Sequence, residues 1–375
     1  MTDINKLFFE LIRVAIGNAV CLSHTPTAKE WQMLYEMAKK QSLVGICFAG
    51  VQRLQGQRQC PLEQLYLQWM GLAAKIQQRN EVVNRQCAEL QTKLSEEGFH
   101  SCILKGQGVA QLYDEPLRAL RQSGDIDVLL WKDGLSAAEN RKAVMDFARQ
   151  IDAKASGSEH HVHVDFFKDT AVELHFAPSY FCNPFANRRL RQWSDENKVN
   201  VERLKLKEGE FDVPSVEFNI VFLLAHIFRH YVSEGVGLRQ LMDYYFVLQA
   251  AQVKGYSLEV KDDLLRLLDS FNMKKFASAV MWVIKTVFAG HDNDDDNDNW
   301  MLCEPNERLG KKLLAHIMQG GNFGHHNAEK VVKSGAHWAN FVNQLAHDLH
   351  LAFDYPAEAL WSPISMIKEF LRIRI

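Results

Sequence analysis

A strand-rich segment at about residues 98–180 separates two long stretches of helical periodicity, and this change of pattern limits the possible folds. Before and after the segment, apolar side chains recur every three or four positions, as they do in amphipathic helices. The sequence therefore predicts an α+β protein with a small mixed-sheet core at 98–185. An N-terminal helical region at 1–97 and a C-terminal, mainly helical region at 186–375 flank this core.

The pattern also predicts individual elements. Strands are predicted at 101–104, 125–131, 161–167 and 170–176, the last two as a hairpin, with a further short strand near 201–213. Helices are predicted at 28–55, 61–97, 107–113, 135–151, 218–231, 238–249, 260–289, 306–318 and 335–352.

Composition excludes several classes of protein. The net charge of −3 over 375 residues provides no general basic field for nucleic acid, so a small molecule or a protein is favoured over nucleic acid as the binding partner. The seven cysteines include no C-x-x-C pair, which argues against a disulfide scaffold or a zinc ribbon. The first 20 residues do not resemble a secretory signal, and no uncharged apolar run of about 18 residues occurs, so we expect a cytoplasmic protein without a membrane span.

Two aspartates in the predicted second strand are the main chemical signal. Asp125 and Asp127 are two positions apart, so strand alternation turns both carboxylates to one face while Ile126 points to the other. Adjacent carboxylates repel one another, and in one cleft we expect this to raise their pKa values. A hard divalent cation such as Mg²⁺ removes the repulsion and takes oxygen ligands.

Glu173 is the predicted third carboxylate. It alternates with Val172 and Leu174 in a later predicted strand, which could lie beside the first two acidic residues. Asp165 is the alternative if Glu173 faces away. Three carboxylates around two metal ions about 3.5–4 Å apart serve in-line nucleotidyl transfer.

The motifs around these residues resemble the bacterial family of uncharacterised nucleotidyltransferases, within the DNA-polymerase-beta-like superfamily. The resemblance covers roughly 30–330. It is carried by Leu104-Lys105-Gly106, Arg121-Gln122-Ser123-Gly124-Asp125-Ile126-Asp127-Val128-Leu129, His160-His161, Val172-Glu173-Leu174-His175, His226-Ile227-Phe228-Arg229-His230, Gly237-Leu238-Arg239-Gln240, Asp243 and Gly321-Asn322-Phe323-Gly324.

This resemblance implies a mixed-sheet nucleotidyltransferase core, a divalent metal and a nucleoside triphosphate such as ATP. By position, Asp125 and Asp127 match the paired metal ligands, and Glu173 matches the third acidic residue. Gly106 matches the first glycine of a turn whose backbone amides hold phosphate oxygens. The superfamily has Gly or Ser next, whereas this chain has Gln107, which puts the detailed phosphate contacts in doubt.

Four residues are predicted to bind the nucleotide: Lys105, Gly106, Gln107 and Arg121. Arg121 lies four positions before Asp125 and is the candidate clamp, because a guanidinium binds phosphate as a bidentate fork. Arg118 is the weaker candidate.

The histidines suggest structural or substrate-contacting roles. His160, His161, His163 and His175 do not have the spacing of H-E-x-x-H or of a zinc finger, and the first two should point to opposite faces of a strand. The acidic run at 291–300 lacks the glycine and glutamate of a calcium loop and is expected to be a solvated loop.

The sequence thus predicts a nucleotidyltransferase in which Asp125, Asp127 and Glu173 hold two Mg²⁺ ions. It would move a nucleoside monophosphate from a triphosphate to a hydroxyl acceptor and release pyrophosphate, with Glu173 the first candidate to accept the hydroxyl proton. The alternative is a non-catalytic nucleotide-binding or assembly protein that retains the fold.

Overall fold

The computed structural model describes residues 3–233, 235–255, 257–289, 300–321, 349 and 351–366. Among these residues the helices are α1 Asp3–Ile16, α2 Ala28–Lys40, α3 Val44–Leu54, α4 Glu63–Glu96, α5 Lys105–Ala110, α6 Leu117–Leu120, α7 Ala137–Ile151, α8 Pro184–Asn197, α9 Val216–Ser233, α10 Leu238–Val253, α11 Leu258–Ser270, α12 Lys274–Val287, α13 Glu307–Gly320 and α14 Pro356–Ala359. The strands are β1 His100–Leu104, β2 Ile126–Trp131, β3 His161–Val164, β4 Val172–His175, β5 Val201–Leu206 and β6 Gly209–Pro214.

The fold is α+β, as the sequence predicted. The predicted helix at 28–55 is in fact two helices, because the chain turns at Ser42, whose φ is 55°. The predicted strand at 201–213 is a hairpin of β5 and β6. The acidic run is outside the described residues except for Trp300, as are residues 322–324 and nearly all of the predicted helix at 335–352.

The four-stranded sheet has the order β1-β2-β4-β3 and mixed directions. β1 runs antiparallel to β2, β2 runs parallel to β4, and β3 and β4 form the predicted antiparallel hairpin. Strands β2, β3 and β4 are shorter than predicted, so Asp125 lies one residue before β2. The central strands β2 and β4 therefore run side by side, and their residues align pairwise.

The two faces of the sheet have different surroundings. One face is apolar and packs in a core with side chains of α4 and α7; it carries Ile103, Ile126, Val128, Leu130, Val162, Val164, Val172 and Leu174. On the other face, four apolar residues of β1 and β2 belong to a larger core formed with helices from both ends of the chain: Cys102, Leu104, Leu129 and Trp131. The remaining residues on this second face are polar, and we call it the polar face.

Both cores cross the predicted domain boundaries. The larger core joins α1 to α3 with α9, α10 and α12, and the smaller one includes Phe211 and Val213 of β6. The division at 97 and 185 stays a prediction. Within the described parts of the chain, no helix combines the length and the apolarity that crossing a bilayer requires.

Candidate active site

Asp127 and Glu173 lie side by side on the polar face of the sheet. They are register partners on the parallel strands β2 and β4. Nε2 of His175 lies 2.9 Å from Oδ1 of Asp127 and 3.2 Å from Oε2 of Glu173. One potential ligand atom from each of these three residues lies within 4.8 Å of the others.

Asp125 is less closely tied to this group. It is exposed, precedes β2 by one residue, and is not among the side chains whose ligand atoms gather within that distance. Its negative charge nevertheless acts on Glu173 and opposes ionisation there. Its role as a metal ligand stays a prediction. Asp165, the alternative third ligand, is exposed beyond the end of β3.

Lys105 supplies positive charge to the carboxylates. Its Nζ lies 2.7 Å from Oδ1 of Asp127, and its side chain is only partly exposed. The expected repulsion between the carboxylates is thus offset by a basic partner, because Lys105 reaches Asp127 from the end of the neighbouring strand β1. We refer to Lys105, Asp127, Glu173 and His175 as the carboxylate cluster.

Contacts between opposite charges in the carboxylate cluster shift the pKa values of Glu173 and His175. Burial acts to raise the pKa of Glu173, but the hydrogen bond and charge of His175, with the charge of Lys105, lower it to about 2. Burial acts to lower the pKa of His175, and hydrogen bonds to Asp127 and Glu173 outweigh burial and raise it. The predicted upward shift is thus wrong for Glu173, which is ionised at neutral pH.

The glycine turn connects β1 to α5 next to the cluster. Lys105 has φ 46°, and Gly106 has φ 34° with ψ −115°, values that L side chains rarely adopt together. A Cβ at Gly108 would lie 2.2 Å from the carbonyl oxygen of Ile103, so this position excludes any side chain. The buried Gln107 donates from Nε2 to Oδ1 of Asn84 on α4. Its side chain therefore helps to fasten the turn to α4.

Arg121 lies in a closed ion pair with Asp243 of α10. Its Nε and Nη2 lie 2.7 and 2.6 Å from the two carboxylate oxygens, and Tyr113 donates a 2.7 Å hydrogen bond to the same carboxylate. Arg121 is only 3% exposed. Asn80 of α4 also donates to the backbone carbonyl of Arg121. The structure thus brings Lys105, Asp127 and Glu173 together but holds the Arg121 guanidinium in an ion pair.

Three further histidines adjoin the carboxylates, and we call His160, His161 and His163 the histidine cluster. Nδ1 of His161 lies 3.1 Å from Nε2 of His160, and Nε2 of His161 lies 3.1 Å from Nε2 of His163. The prediction that His160 and His161 point to opposite faces is wrong. His160 precedes β3, so strand alternation does not apply to it. Burial and the charge of His175 lower the pKa of His161 to about 2, so its ring is neutral.

Helix α9 places further rings and a cation near the histidine cluster. Cζ of Arg229 lies 5.6 Å from the ring centroid of Tyr180, and that ring lies 5.0 Å from the ring of His160. After burial and His175, the charge of Arg229 is the next influence that lowers the pKa of His160. His226 and His230 are buried, with ring centroids 4.3 Å apart.

The donor set fits a divalent cation. Asp127 and Glu173 provide carboxylate oxygens, which hard cations take, and His175 adds an imidazole nitrogen, which transition metals also accept. Lys105 and His175 show that positive charge is already favourable beside these oxygens.

Sequence reasoning gave His175 only a structural or substrate-contacting role and did not identify Asp243 as the partner of Arg121. The alternation of Glu173, Leu174 and His175 already put the histidine on the face of the glutamate, so the signal for His175 was present. Nothing near Arg121 pointed to Asp243, which is 122 positions away along the chain.

Comparison with known proteins adds three findings. The model of a family described as uncharacterised nucleotidyltransferase matches residues 27–289. Among solved structures, the chain is similar to the crystal structure of an antigenic nucleotidyltransferase-like protein from Paracoccidioides brasiliensis. The identity is 15% over 58% of this chain and 97% of that chain, with a TM-score of 0.30, and at that score the similarity supports no argument. No curated protein matches.

Proposed function

Because this chain belongs to the uncharacterised nucleotidyltransferase family, we propose that it is a metal-dependent nucleotidyltransferase that uses a nucleoside triphosphate, such as ATP. It transfers a nucleoside monophosphate to a hydroxyl acceptor and releases pyrophosphate. The observation that carries this proposal is the register pairing of Asp127 with Glu173 on adjacent parallel strands, beside the glycine turn. This pairing puts two buried or half-buried carboxylates where one cation can contact both.

Asp127 and Glu173 would hold the metal, with Asp125 reaching it from the end of β2. When bound, Mg²⁺ or a similar ion would neutralise triphosphate charge and make an acceptor hydroxyl more acidic. Glu173 fits the role of ligand better than that of general base. A carboxylate with a pKa of about 2 is ionised at neutral pH but binds a proton weakly.

In the transfer, the acceptor oxygen forms a bond to the α-phosphorus while the bond from that phosphorus to the bridging oxygen of pyrophosphate breaks. The hydroxyl proton leaves to solvent or to a carboxylate, and the bond electrons leave with pyrophosphate. Lys105, at the start of the turn, would offset charge on the triphosphate when the cation replaces it beside Asp127. Arg229, at the other border of the site, is the second candidate for that role.

We propose that Arg121 positions the site and does not grip phosphate. Its pairing with Asp243 fixes the loop that leads into β2, and Arg239 of α10 donates a 2.8 Å hydrogen bond to the carbonyl of Gln122 in the same loop. This anchoring would keep Asp125 and Asp127 in place.

The test uses triphosphates labelled at the α- or γ-phosphate, with Mg²⁺ or Mn²⁺ and extracts as a source of acceptor. Nucleotidyl transfer predicts that the α-label moves to an acceptor while the γ-label leaves in pyrophosphate. Label transfer from the γ-position would identify a phosphotransferase instead. Asp127→Asn should remove the transfer, whereas Asp133→Asn, an exposed aspartate just beyond β2, should leave it unchanged.

The acceptor is proposed to be a small molecule or a protein hydroxyl, since the net charge of −3 offers little attraction for nucleic acid. Two observations favour the non-catalytic alternative. Arg121 is committed to Asp243, and Gln107 replaces the usual small residue in the turn. Saturable binding of a non-hydrolysable triphosphate, without α-label transfer in any extract, would support that alternative.

A further inference from the structure

Strand β3 presents two histidines to Glu173 at the edge of the sheet. His161 and His163 are two positions apart on one strand and so share its polar face. His163 is the register partner of Glu173. Nδ1 of His163 lies 3.5 Å from Oε1 of Glu173, and Nδ1 of His161 lies 3.6 Å from Oε2.

The three side chains lie close enough to supply one metal ion, although the imidazoles approach Glu173 through Nδ1 and each other through Nε2. Zinc binds nitrogen and oxygen donors at about 2.0–2.2 Å, which puts tetrahedral donors about 3.4 Å from one another. The closest nitrogens of His161 and His163 are 3.1 Å apart, and one ligand atom from each of His161, His163 and Glu173 lies within 4.8 Å of the others. A bound ion would draw one donor from each residue together, to about 3.4 Å from one another.

These donors differ in chemistry from the donors of the proposed metal site at Asp127. Two imidazoles and one carboxylate form a set that Zn²⁺ and related first-row ions take, whereas Mg²⁺ prefers oxygen ligands alone. His163 has 66% of its side chain exposed, so an ion has access from solvent and a fourth position remains open to water or substrate.

We infer that His161, His163 and Glu173 form a binding site for a divalent transition-metal ion such as Zn²⁺. Glu173 is shared between this site and the proposed site at Asp127, so one carboxylate links the two positions. Metal binding at this site does not depend on nucleotidyl transfer, although the site lies beside the proposed active centre. A bound ion would place a second positive charge at the border of the triphosphate site.

The test is a titration of the tag-free full chain with Co²⁺, a spectroscopic substitute for Zn²⁺, followed through its visible d–d absorption. We expect saturation with bands of nitrogen and oxygen coordination, and displacement of Co²⁺ by Zn²⁺ but not by millimolar Mg²⁺. His163→Ala should weaken binding by at least about 10- to 100-fold, the loss that even an outer-shell partner causes. His100→Ala removes an exposed histidine on β1 and should leave binding unchanged.

His161→Ala is the second variant, and thermal melts would show that both variants remain folded. Equal Co²⁺ affinity in wild type, His163→Ala and His161→Ala would overturn the inference, as would the absence of saturable binding. The two proposals fail separately. Transfer with Mg²⁺ in a protein that binds no Co²⁺ would remove only this site, and Co²⁺ binding without transfer would remove only the nucleotidyltransferase proposal.

Discussion

Two groups of buried charges lie at the two ends of the loop that leads into β2, one at Arg121 and the other at Asp127. They differ in how their charges are paired and in access from solvent. The Arg121–Asp243 pair matches one guanidinium to one carboxylate through two hydrogen bonds, with both side chains almost fully buried. The carboxylate cluster instead has shared contacts, with His175 between Asp127 and Glu173, and it borders the exposed His163.

This difference is the reason why we assign a structural role to the Arg121–Asp243 pair and propose metal binding for the carboxylate cluster. The Arg121–Asp243 pair has its partners fixed, and a phosphate could reach the guanidinium only by breaking a buried ion pair. The carboxylate cluster has cations that a metal ion can replace, because Lys105 is partly exposed and Glu173 keeps some contact with solvent.

The largest effect on the free energy of unfolding is expected from Arg121→Ala. This change leaves the Asp243 carboxylate buried without its guanidinium, and breaking a buried pair in this way costs about 3–5 kcal/mol. Denaturant unfolding would measure the loss. The double variant Arg121→Met with Asp243→Asn removes both charges and keeps an amide oxygen for Tyr113, so most of the stability should return.

The same variants test the original clamp hypothesis. If the pair is structural, the double variant binds a triphosphate with Mg²⁺ as tightly as wild type. A stable Arg121→Ala protein whose triphosphate affinity falls tenfold or more would show the opposite, and Arg121 would then contact phosphate.

Asp127→Asn should have the next largest effect on the free energy of unfolding. Lys105 and His175 keep the amide oxygen as a hydrogen-bond acceptor but lose the charge on it, so each contact should lose only part of the roughly 1.5–3 kcal/mol that a bond to a charged group contributes. Nucleotidyl transfer should fall by more than about 100-fold, since the loss of a metal ligand exceeds that of an outer-shell partner. Transfer within tenfold of the rate of the Asp133→Asn control would exclude Asp127 from the metal site.

Acid should weaken the fold through Glu173. Its folded-state pKa of about 2 is below the unfolded value of about 4.3, so the unfolded chain binds more protons between these values. The contribution of Glu173 is therefore complete above that unfolded value and is lost as pH falls towards 2. Unfolding of wild type and Glu173→Gln should differ clearly at pH 6 and converge near pH 2 to 3. A constant difference across this range would mean that Glu173 ionises as it does in the unfolded chain.

The sequence was informative where local pattern decides geometry. Alternation along β4 was enough to put Glu173 on one face, and the apolar partners Val172 and Leu174 identify that face as the polar one. The α+β class followed from the change in periodicity. His160 shows the limit, because the prediction depended on where β3 begins, and strand ends are set by tertiary contacts that a local pattern does not contain.

Ion-pair partners that are distant in sequence could not be predicted, for a different reason. As cations, Arg121 and Lys105 can each pair with any carboxylate or phosphate. Only the folded chain determines which carboxylate each one contacts. Asp243 comes from a helix far along the chain, while Asp127 comes from the strand beside Lys105. A basic residue near a predicted metal strand therefore does not by itself indicate phosphate binding, because a carboxylate from elsewhere in the chain can already pair with it, as Asp243 does with Arg121.

The smallest effect on stability is expected from Asp125→Asn. Asp125 is exposed, so the substitution should change the free energy of unfolding by no more than about 0.5 kcal/mol in the presence of a chelator. If Asp125 is a metal ligand, the same variant should still lose Mn²⁺ affinity, measured by electron paramagnetic resonance of the free ion, together with transfer activity. Asp133→Asn is the matched control. Unchanged Mn²⁺ affinity and transfer in Asp125→Asn would restrict the donor set to Asp127, Glu173 and His175, and the paired-aspartate motif would then contribute a single ligand.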